Sequence, residues 1–247
     1  MRRRFFVEKF EDGSAALEGE VANHLGRVLR AQPGQQYELS DGQKVWLARV
    51  ENAGRDRVEF ALEEELAAYQ PQVETTLLLA VVKFDSFEWA IEKATELGVA
   101  TITPVAAARS EKGLLAAVQK RSERWRKILL EAAQQSRRLR VPALENLKNV
   151  KEAFSAGVAE AGSPLKILLS ENAQARGLAA VLGGQRAGRA TLAIGPEGGW
   201  TEAEFALARE ASFREASLGR LILRTETAVI AALASMNYAF EESEGNG

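Results

Sequence analysis

The segment Gly195-Pro196-Glu197-Gly198-Gly199 ends an apolar run and carries a single charge. Thr201 and Glu204 follow at the spacing of a capping box, which predicts a helix whose first amides are bonded by its own side chains. That arrangement disfavours a phosphate at this helix start, and the glycine spacings of P-loops and dinucleotide-binding turns are missing. The remaining use for the glycines is a close approach of the backbone to a flat, mostly neutral ligand, because glycine has no side chain. The alternative is a tight strand-to-helix turn without a ligand.

A second polar segment, Arg224 to Thr227, stands between a predicted strand over 221–223 and a predicted helix over 225–240. A carboxylate at a helix start is stabilised by the helix dipole, so Glu226 suits this position, and Arg224 adds a cation beside it. The alternative is a buried helix whose small residues serve close packing, including packing across a dimer.

The elements that must hold these segments alternate from Pro71 onward, which predicts an α/β domain. Their continuous apolar character indicates a parallel sheet covered on both faces, with ligands at the carboxyl ends of its strands. The predicted strands are 76–82, 100–105, 165–170, 190–194, 215–218 and 221–223. The predicted helices are 86–98, 114–136, 148–161, 173–182, 201–211 and 225–240.

Residues 1–70 have a different character, with short β-rich segments joined by turn signals. The predicted strands are 3–7, 35–40, 44–51 and 56–64, which indicate a small β-barrel or curled sheet. One helix over 19–30 interrupts them. Its apolar face would hold Val21, Leu25, Val28 and Leu29, and its other side would hold His24, Arg27 and Arg30.

The composition excludes several classes of site. The 247 residues contain no cysteine, so disulfides and thiolate chemistry are excluded, and His24 is the only histidine, which disfavours a multi-histidine metal centre or a Ser-His-Asp triad. No apolar segment follows the basic N-terminus, so we expect a cytoplasmic protein without a membrane segment. The net charge of −2 means that any nucleic-acid binding must come from local basic patches.

The whole chain resembles one known family. "IGPEGGWTEAE" with "SLGRLILRTETA" is similar to the paired C-terminal motifs of the RsmE family, which are 16S ribosomal RNA (uracil-N3) methyltransferases of the SPOUT superfamily. "KFDSFEWAIEKATELGVATITPV" resembles the first α/β segment of that family, and "RSERWRKILLEAAQQSRRLRVPAL" resembles its basic helix and loop. "RRFFV" and "HLGRVLR" resemble its N-terminal domain, so the resemblance follows nearly the whole chain in order.

The resemblance implies a SPOUT-type α/β domain with a C-terminal trefoil knot over residues 71–247. A PUA-like β-barrel RNA-binding domain over residues 1–70 would precede it. It also implies a homodimer that uses S-adenosyl-L-methionine, without a metal, to methylate N3 of a specific uridine in 16S ribosomal RNA within the 30S subunit. Two rivals remain: a non-catalytic RNA-binding protein with a vestigial pocket, and a SPOUT methyltransferase acting on a ribose 2′-hydroxyl.

By the same resemblance, the cofactor pocket is formed by the segments 168–172, 194–199 and 217–224, in which glycine leaves the floor of the pocket open. The carboxylate of Glu171 or Glu197 would be electrostatically compatible with the cationic sulfonium of the cofactor nearby. The implied cofactor-binding residues are Leu169, Ser170, Glu171, Ile194, Gly195, Pro196, Glu197, Gly198, Gly199, Leu218, Gly219, Leu223, Thr225 and Thr227.

Basic clusters are the expected RNA contacts, because arginine binds phosphates in a bidentate manner and stacks on unpaired bases. The alternative for each cluster is a solvated helix face or a disordered terminus. The expected residues are Arg3, Arg4, His24, Arg27, Arg30, Arg137, Arg138 and Arg140, with Arg2 beside the first of them. The sequence departs from the family pattern at Phe84, Ser86, Gln134 and Arg137, which affects the RNA contacts more than the cofactor site.

Methylation at uracil N3 sets the catalytic requirement, since that nitrogen carries a proton and is a poor nucleophile until the proton leaves. An arginine near a uracil carbonyl would stabilise the anion, and a carboxylate could remove the proton. Arg224, Glu226 and Arg109 are the catalytic candidates, with Arg138 as a further helper. The general base is not assigned.

Overall fold

The structure, a computed structural model, describes residues 3–155, 164–172, 174–185 and 187–241. The chain divides into two compact units, Met1–Gln70 with Ala133–Val141 and Pro71–Ala132 with Pro142–Gly247. Arg2, residues 156–161 of one predicted helix and the first residue of the predicted helix 173–182 lie outside the described residues. In the part of the chain that is described, no helix is long and apolar enough to cross a membrane.

The first unit is built on a five-stranded sheet, which agrees with the predicted β-rich domain. Its strands are β1 (Arg4–Phe6), β2 (Ser14–Glu18), β3 (Gln36–Ser40), β4 (Val45–Ala53) and β5 (Arg57–Leu66), in the order β1-β3-β4-β5-β2. β1 pairs with β3 in parallel and the other pairs are antiparallel. Phe5, Leu39, Val50 and Phe60 are fully buried in its core.

The predicted helix 19–30 is interrupted. It begins as α1 (Gly19–Asn23) and continues as a π-helical turn over His24–Val28, where the Leu29 N–H bonds to the His24 carbonyl. The wider turn changes which side chains share a face. Leu25 is buried as predicted, but Val28 is 66% exposed, so its predicted place on the apolar face is wrong. His24, Arg27 and Arg30 are exposed, as predicted.

Residues 133–141 pack with the first unit, although the predicted division at residues 70 and 71 left them in the second. The Ser40 hydroxyl donates to the Leu139 carbonyl at 2.7 Å, and the Arg140 guanidinium donates to the Gly42 carbonyl. Arg4 donates to the Arg137 carbonyl. These bonds attach the segment to β1, β3 and the turn after β3.

The second unit contains a parallel sheet, as the apolar runs predicted. Its strands are β6 (Glu74–Ala80), β7 (Thr101–Ala106), β8 (Ala143–Leu144), β9 (Lys148–Asn149), β10 (Leu165–Leu169), β11 (Arg176–Gly177), β12 (Arg189–Ile194) and β13 (Arg214–Ser217). The order is β11-β13-β10-β12-β6-β7-β8, with β9 also paired to β7, and every pair is parallel.

The helices are α2 (Phe84–Glu96), α3 (Lys112–Gln135), α4 (Val150–Ser155), α5 (Leu178–Leu182), α6 (Glu202–Glu210) and α7 (Thr225–Glu241). α2 packs against α7, and α4 packs against α6. The capping box of α6 is present as predicted, with Thr201 as the N-cap. The predicted strand over 221–223 is wrong, because these residues form a loop in which Leu221 and Ile222 are 82% and 77% exposed.

Candidate active site

Three loops meet at the carboxyl edge of the second sheet. They follow β10, β12 and β13, which are neighbours in the order β13-β10-β12. Because these strands are parallel, their carboxyl ends lie at the same edge, where α/β sheets bind ligands. The loops enclose a cavity of about 310 Å³. It is lined by residues 169–172, 194–200 and 218–223, with Arg109, Glu202, Phe205, Thr225 and Ala228.

The cavity gathers the predicted cofactor residues, with the exception of Thr227, which is exposed on α7 outside the lining. Several residues of the wall were not predicted from the sequence. Trp200 follows the glycine turn directly and Phe205 lies in the first half of α6, so their nearness to the turn in the sequence was the available signal. Leu221 and Ile222 lie within the third segment that the resemblance assigned to the pocket, 217–224, but were not among the named contacts.

Gly195 is enclosed by fixed neighbours. A Cβ at this position would lie 3.1 Å from two ring atoms of Trp200. The indole of Trp200 is itself held, because its Nε1 donates to the Leu169 carbonyl at 3.2 Å. The Thr225 hydroxyl donates to the Gly195 carbonyl at 3.3 Å. The glycine turn is therefore tied to the loop after β10 and to the start of α7.

Arg109 reaches the glycine turn from the loop that follows β7. Its Nη1 donates to the Gly198 carbonyl and lies 3.5 Å from the Trp200 carbonyl oxygen. A Cβ at Gly198 would lie 3.2 Å from Cδ of Arg109. Of the three predicted catalytic residues, Arg109 is the one that lines the cavity.

Arg224 and Glu226 lie at the start of α7 but outside the cavity lining. Arg224 is exposed. Glu226 is only 4% exposed, and its Oε2 is buried without a hydrogen-bond partner. The expectation that both residues occupy a polar break after an apolar strand depended on the strand over 221–223, which is a loop.

The charged side chains of the cavity wall carry both signs. Arg109 and Arg220 are the cations, and Glu171, Glu197 and Glu202 are the carboxylates. All of them are exposed to solvent. Such a wall can hold a ligand with separate positive and negative groups. Among the described residues, no three His, Asp or Glu side chains are grouped as metal ligands would be.

The predicted RNA-contact residues fall into two groups of the first unit. His24 and Arg27 lie in the π turn and Arg30 follows it, and all three are exposed. The other group lies along β1, β3 and the attached segment 133–141, and comprises Arg3, Arg4, Arg137, Arg138 and Arg140. Burial lowers the pKa of Arg138 to about 10, which leaves it cationic at neutral pH.

Arg4 has a different environment from the one that an RNA contact requires. It is 6% exposed and bonds to Glu38 through Nε at 3.1 Å and Nη2 at 2.9 Å. Glu38 also lies 3.4 Å from Nη1 of Arg137. The buried ion pair occupies the Arg4 guanidinium, so the structure is at odds with the predicted RNA contact of this residue.

Two of the departures from the family pattern have packing roles. Phe84 packs edge-on against Trp125 at a centroid distance of 6.0 Å and lies under the guanidinium of Arg121. Gln134 is buried. Arg121 and Arg124 of the basic helix pair with the buried Glu88, so these two cations form an ion-pair cluster with it.

Comparison with known proteins identifies the family. Residues 69–237 match the model of the RNA methyltransferase domain, and residues 17–63 match that of the RNA methyltransferase PUA domain. The chain is 32% identical to ribosomal RNA small subunit methyltransferase E of Synechocystis (95% of this chain, 76% of the relative) and 30% identical to that of Bacillus subtilis (99% of both).

A solved structure agrees with these relatives. The Neisseria gonorrhoeae ribosomal RNA small subunit methyltransferase E bound to S-adenosyl methionine superposes with a TM-score of 0.84 at 32% identity, covering 96% of this chain and 98% of that one. The resemblance that the paired C-terminal motifs predicted is thus confirmed, and the chain belongs to the ribosomal RNA small subunit methyltransferase E family.

Proposed function

We propose that the protein transfers the methyl group of S-adenosyl-L-methionine to N3 of one uridine in 16S ribosomal RNA. The observation that carries this proposal is the cavity at the carboxyl edge of the parallel sheet. The three segments that the family resemblance assigns to the cofactor line this one cavity. The relatives are ribosomal RNA small subunit methyltransferases, and the gonococcal relative binds S-adenosyl methionine.

The residues of the cavity fit this cofactor. Its volume of about 310 Å³ lies at the lower end of the range for small-molecule sites. A Cβ at Gly195 would press on the Trp200 ring of the wall, so the shape of the wall there depends on glycine. Leu169 and Ile194 supply apolar walls, and the carboxylates of Glu171 and Glu197 suit the cationic parts of the ligand. We propose the predicted cofactor residues as its contacts, without Thr227.

Bound in this cavity, the cofactor supplies an electrophilic methyl group. The chain must make uracil N3 nucleophilic, which means stabilising the anion that remains when the N3 proton passes to solvent water, which reaches the exposed charged side chains of the cavity wall. We assign this electrostatic role to Arg109, because it is a predicted catalytic residue on the cavity wall. Arg224 follows Leu223 of the wall and is exposed, so it is proposed as a second cation for the incoming base.

The first unit is proposed to bind the RNA. We assign residues 1–70 as the PUA-like domain and residues 71–247 as the SPOUT domain, with 133–141 attached to the former. N3 lies on the Watson–Crick edge, so the target base must be unpaired or flipped out before it reacts. The proposed RNA contacts, which exclude Arg4, are Arg3, His24, Arg27, Arg30, Arg137, Arg138 and Arg140.

Three further features are proposed from the family: the trefoil knot in residues 71–247, the homodimer and the 30S subunit as substrate. The crowding of the loops after β10, β12 and β13 supports a knotted arrangement. Exposed apolar side chains of the second unit support the dimer. These are Trp89 and Tyr238 on the packed helices α2 and α7, and Leu221 and Ile222 of the loop before α7.

The test combines cofactor binding with nucleoside analysis. Calorimetry is expected to show uptake of S-adenosyl-L-methionine, and mass spectrometry of ribosomal RNA from cells lacking the protein is expected to show the loss of one 3-methyluridine. Loss of a 2′-O-methylated nucleoside would instead identify a ribose methyltransferase. A protein that binds RNA without taking up the cofactor would be a non-catalytic binder.

A further inference from the structure

The carboxylate of Glu204 connects two loops. It is buried, and its Oε2 accepts from the Thr201 backbone N–H at 2.7 Å and from the Thr201 hydroxyl at 2.8 Å. These bonds belong to the capping box of α6. Its Oε1 accepts from the backbone N–H of Ala108 at 2.8 Å. That last bond leads to the loop after β7, and capping of α6 does not require it.

Arg109 makes the return connection from the same loop. Its Nη1 donates to the Gly198 carbonyl and lies 3.5 Å from the Trp200 carbonyl oxygen. β6 lies between β7 and β12 in the sheet, so strand pairing does not join their loops directly. Glu204 and Arg109 thus close a ring of hydrogen bonds between the glycine turn and the loop that carries the arginine.

The ring restricts the Arg109 guanidinium at both ends of its side chain. The bond from Ala108 to Glu204 fixes the backbone from which the side chain starts, and the two carbonyls hold Nη1. A guanidinium has five N–H donors in a planar fork, and the described carbonyl contacts use Nη1. The fork is therefore held in place at the cavity wall, as electrostatic stabilisation of an anion requires.

We propose that Glu204 is a positioning residue for Arg109 in addition to its role in capping α6. The inference rests on the proposed function, in which Arg109 stabilises the uracil anion. An amide at position 204 cannot serve both loops, because Gln has one acceptor oxygen and an NH₂ group. That NH₂ group would face the N–H of either Ala108 or Thr201, so one connection would be broken in a buried place.

Hydrogen exchange tests the connection itself. Thr201→Ala removes the capping hydroxyl but keeps the Oε1 bond to Ala108, so it is the matched control for Glu204→Gln. We expect faster amide exchange over residues 107–110 in Glu204→Gln and unchanged exchange there in Thr201→Ala, while both variants melt at lower temperature. Glu204→Asp is made as a second variant, since its shorter side chain cannot span both loops. Because the Gln amide can keep either bond, wild-type exchange over 107–110 in every position-204 variant that folds overturns the proposal. This readout needs neither cofactor nor RNA.

Single-turnover methylation tests whether the connection affects catalysis. The substrate is the small ribosomal subunit from cells that lack the protein. At saturating cofactor, Glu204→Gln is expected to slow transfer by roughly tenfold or more, and Thr201→Ala by less than about twofold. In an Arg109→Ala background, Glu204→Gln is expected to cause no further loss, because the two residues act through one group. An equal loss in both backgrounds, or an equal loss in Thr201→Ala, contradicts the positioning role.

The two measurements separate this inference from the proposed function. A wild-type rate in Arg109→Ala removes Arg109 from the chemistry, and the positioning role falls with it, even where the exchange result shows the connection. If the wild-type protein does not methylate the subunits, the proposed function fails at that step. If Arg109→Ala slows methyl transfer and Glu204→Gln slows it further by the same factor as in the wild type, the positioning role of Glu204 is contradicted while the proposed function stands.

Discussion

Gly195 lies against the Trp200 ring in the wall of the cavity. Alanine there would place Cβ 3.1 Å from the Trp200 ring, and that ring is held by its bond to the Leu169 carbonyl. We expect Gly195→Ala to weaken binding of S-adenosyl-L-methionine at least about tenfold, or about 1.4 kcal/mol, measured by calorimetry.

The control for this substitution is Gly113→Ala in α3, where a Cβ meets nothing within 4 Å. It is expected to leave cofactor affinity unchanged and to raise the free energy of unfolding by up to about 1 kcal/mol, because alanine is the better helix former. Wild-type cofactor affinity in Gly195→Ala would place the ligand elsewhere.

Substitution of Glu226 tests whether a buried carboxylate outside the cavity takes part in proton transfer. A general base must lie within hydrogen-bond reach of its proton, directly or through one water, and Glu226 does not line the cavity. We therefore expect Glu226→Gln to keep the single-turnover rate and its pH dependence. Its unfolding free energy should change by no more than about 1 kcal/mol, since the replaced carboxylate includes an Oε2 without a partner. Loss of a carboxylate limb from the pH profile of this variant would restore Glu226 as the base.

For individual residues, the sequence predicted contacts between near neighbours in the chain better than contacts between residues far apart in the chain. The Thr201–Glu204 capping box was predicted because both partners lie within one helical turn. The partner of Arg4 was not, because Glu38 is 34 positions away and meets it only through the pairing of β1 with β3. The bond from Glu204 to Ala108, across 96 positions, likewise has no local signal.

Among the secondary-structure elements, continuous apolar runs predicted the parallel strands of the second unit well, since strands buried on both faces leave a clear pattern. The same rule failed at 221–223, where three apolar residues form a cavity loop with two exposed side chains. A run of apolar residues therefore predicts a buried strand only where those residues do not instead face a ligand or a partner protein. The π turn at His24–Val28 was missed because helical periodicity assumes 3.6 residues per turn.

The segment that carries Arg138 and Arg140 is expected to bind phosphates of the RNA. Arg138→Ala with Arg140→Ala should weaken RNA binding without changing cofactor affinity. The log–log salt slope should fall by roughly 0.7–0.9 for each phosphate that the variant no longer neutralises. Arg49→Ala is the control, because that arginine pairs with Glu63 on β5 of the same unit, and its slope should equal that of the wild type. An unchanged slope in the double variant would assign both arginines to the attachment of the segment.

β10 contains a buried lysine whose charge opposes folding. Lys166 is 7% exposed, its Nζ donates to the Phe154 carbonyl at 3.3 Å, and burial lowers its pKa from the usual 10.5. The unfolded chain then binds more protons than the folded one between the two pKa values, so stability rises with pH in that window. We expect the wild type to gain stability relative to Lys166→Met as the pH approaches 10.5.

Lys93→Met provides the control of opposite sign. Its hydrogen bonds to Glu92 and Glu96 raise the pKa of Lys93, so its contribution is fully present below 10.5 and disappears only above it. The difference between this variant and the wild type should therefore stay constant between pH 7 and 10. Denaturant unfolding at several pH values measures both, and a constant difference for Lys166→Met would contradict the expectation.

For the whole molecule, the two units divide the proposed tasks. The net charge of −2 gives no general attraction for RNA, so the proposed contacts are concentrated on the first unit and on the segment that joins it from the C-terminal end of α3. The cavity lies in the second unit. Variants of either unit should therefore change one binding equilibrium at a time, which makes cofactor and RNA affinity the paired measurements for every substitution above.

The proposed dimer can be tested directly by a substitution on its expected interface. Trp89 on α2 is 46% exposed and Tyr238 on the adjacent α7 is 65% exposed, and exposed aromatic side chains on packed helices mark a candidate interaction surface. A buried, unpaired carboxylate strongly opposes association, so Trp89→Glu should shift the mass in sedimentation from dimer to monomer. Val28→Glu, at an exposed apolar residue of the first unit, should keep the dimer. A dimeric Trp89→Glu protein would move the interface away from α2, and a monomer with the full transfer rate would show that one chain holds the complete site.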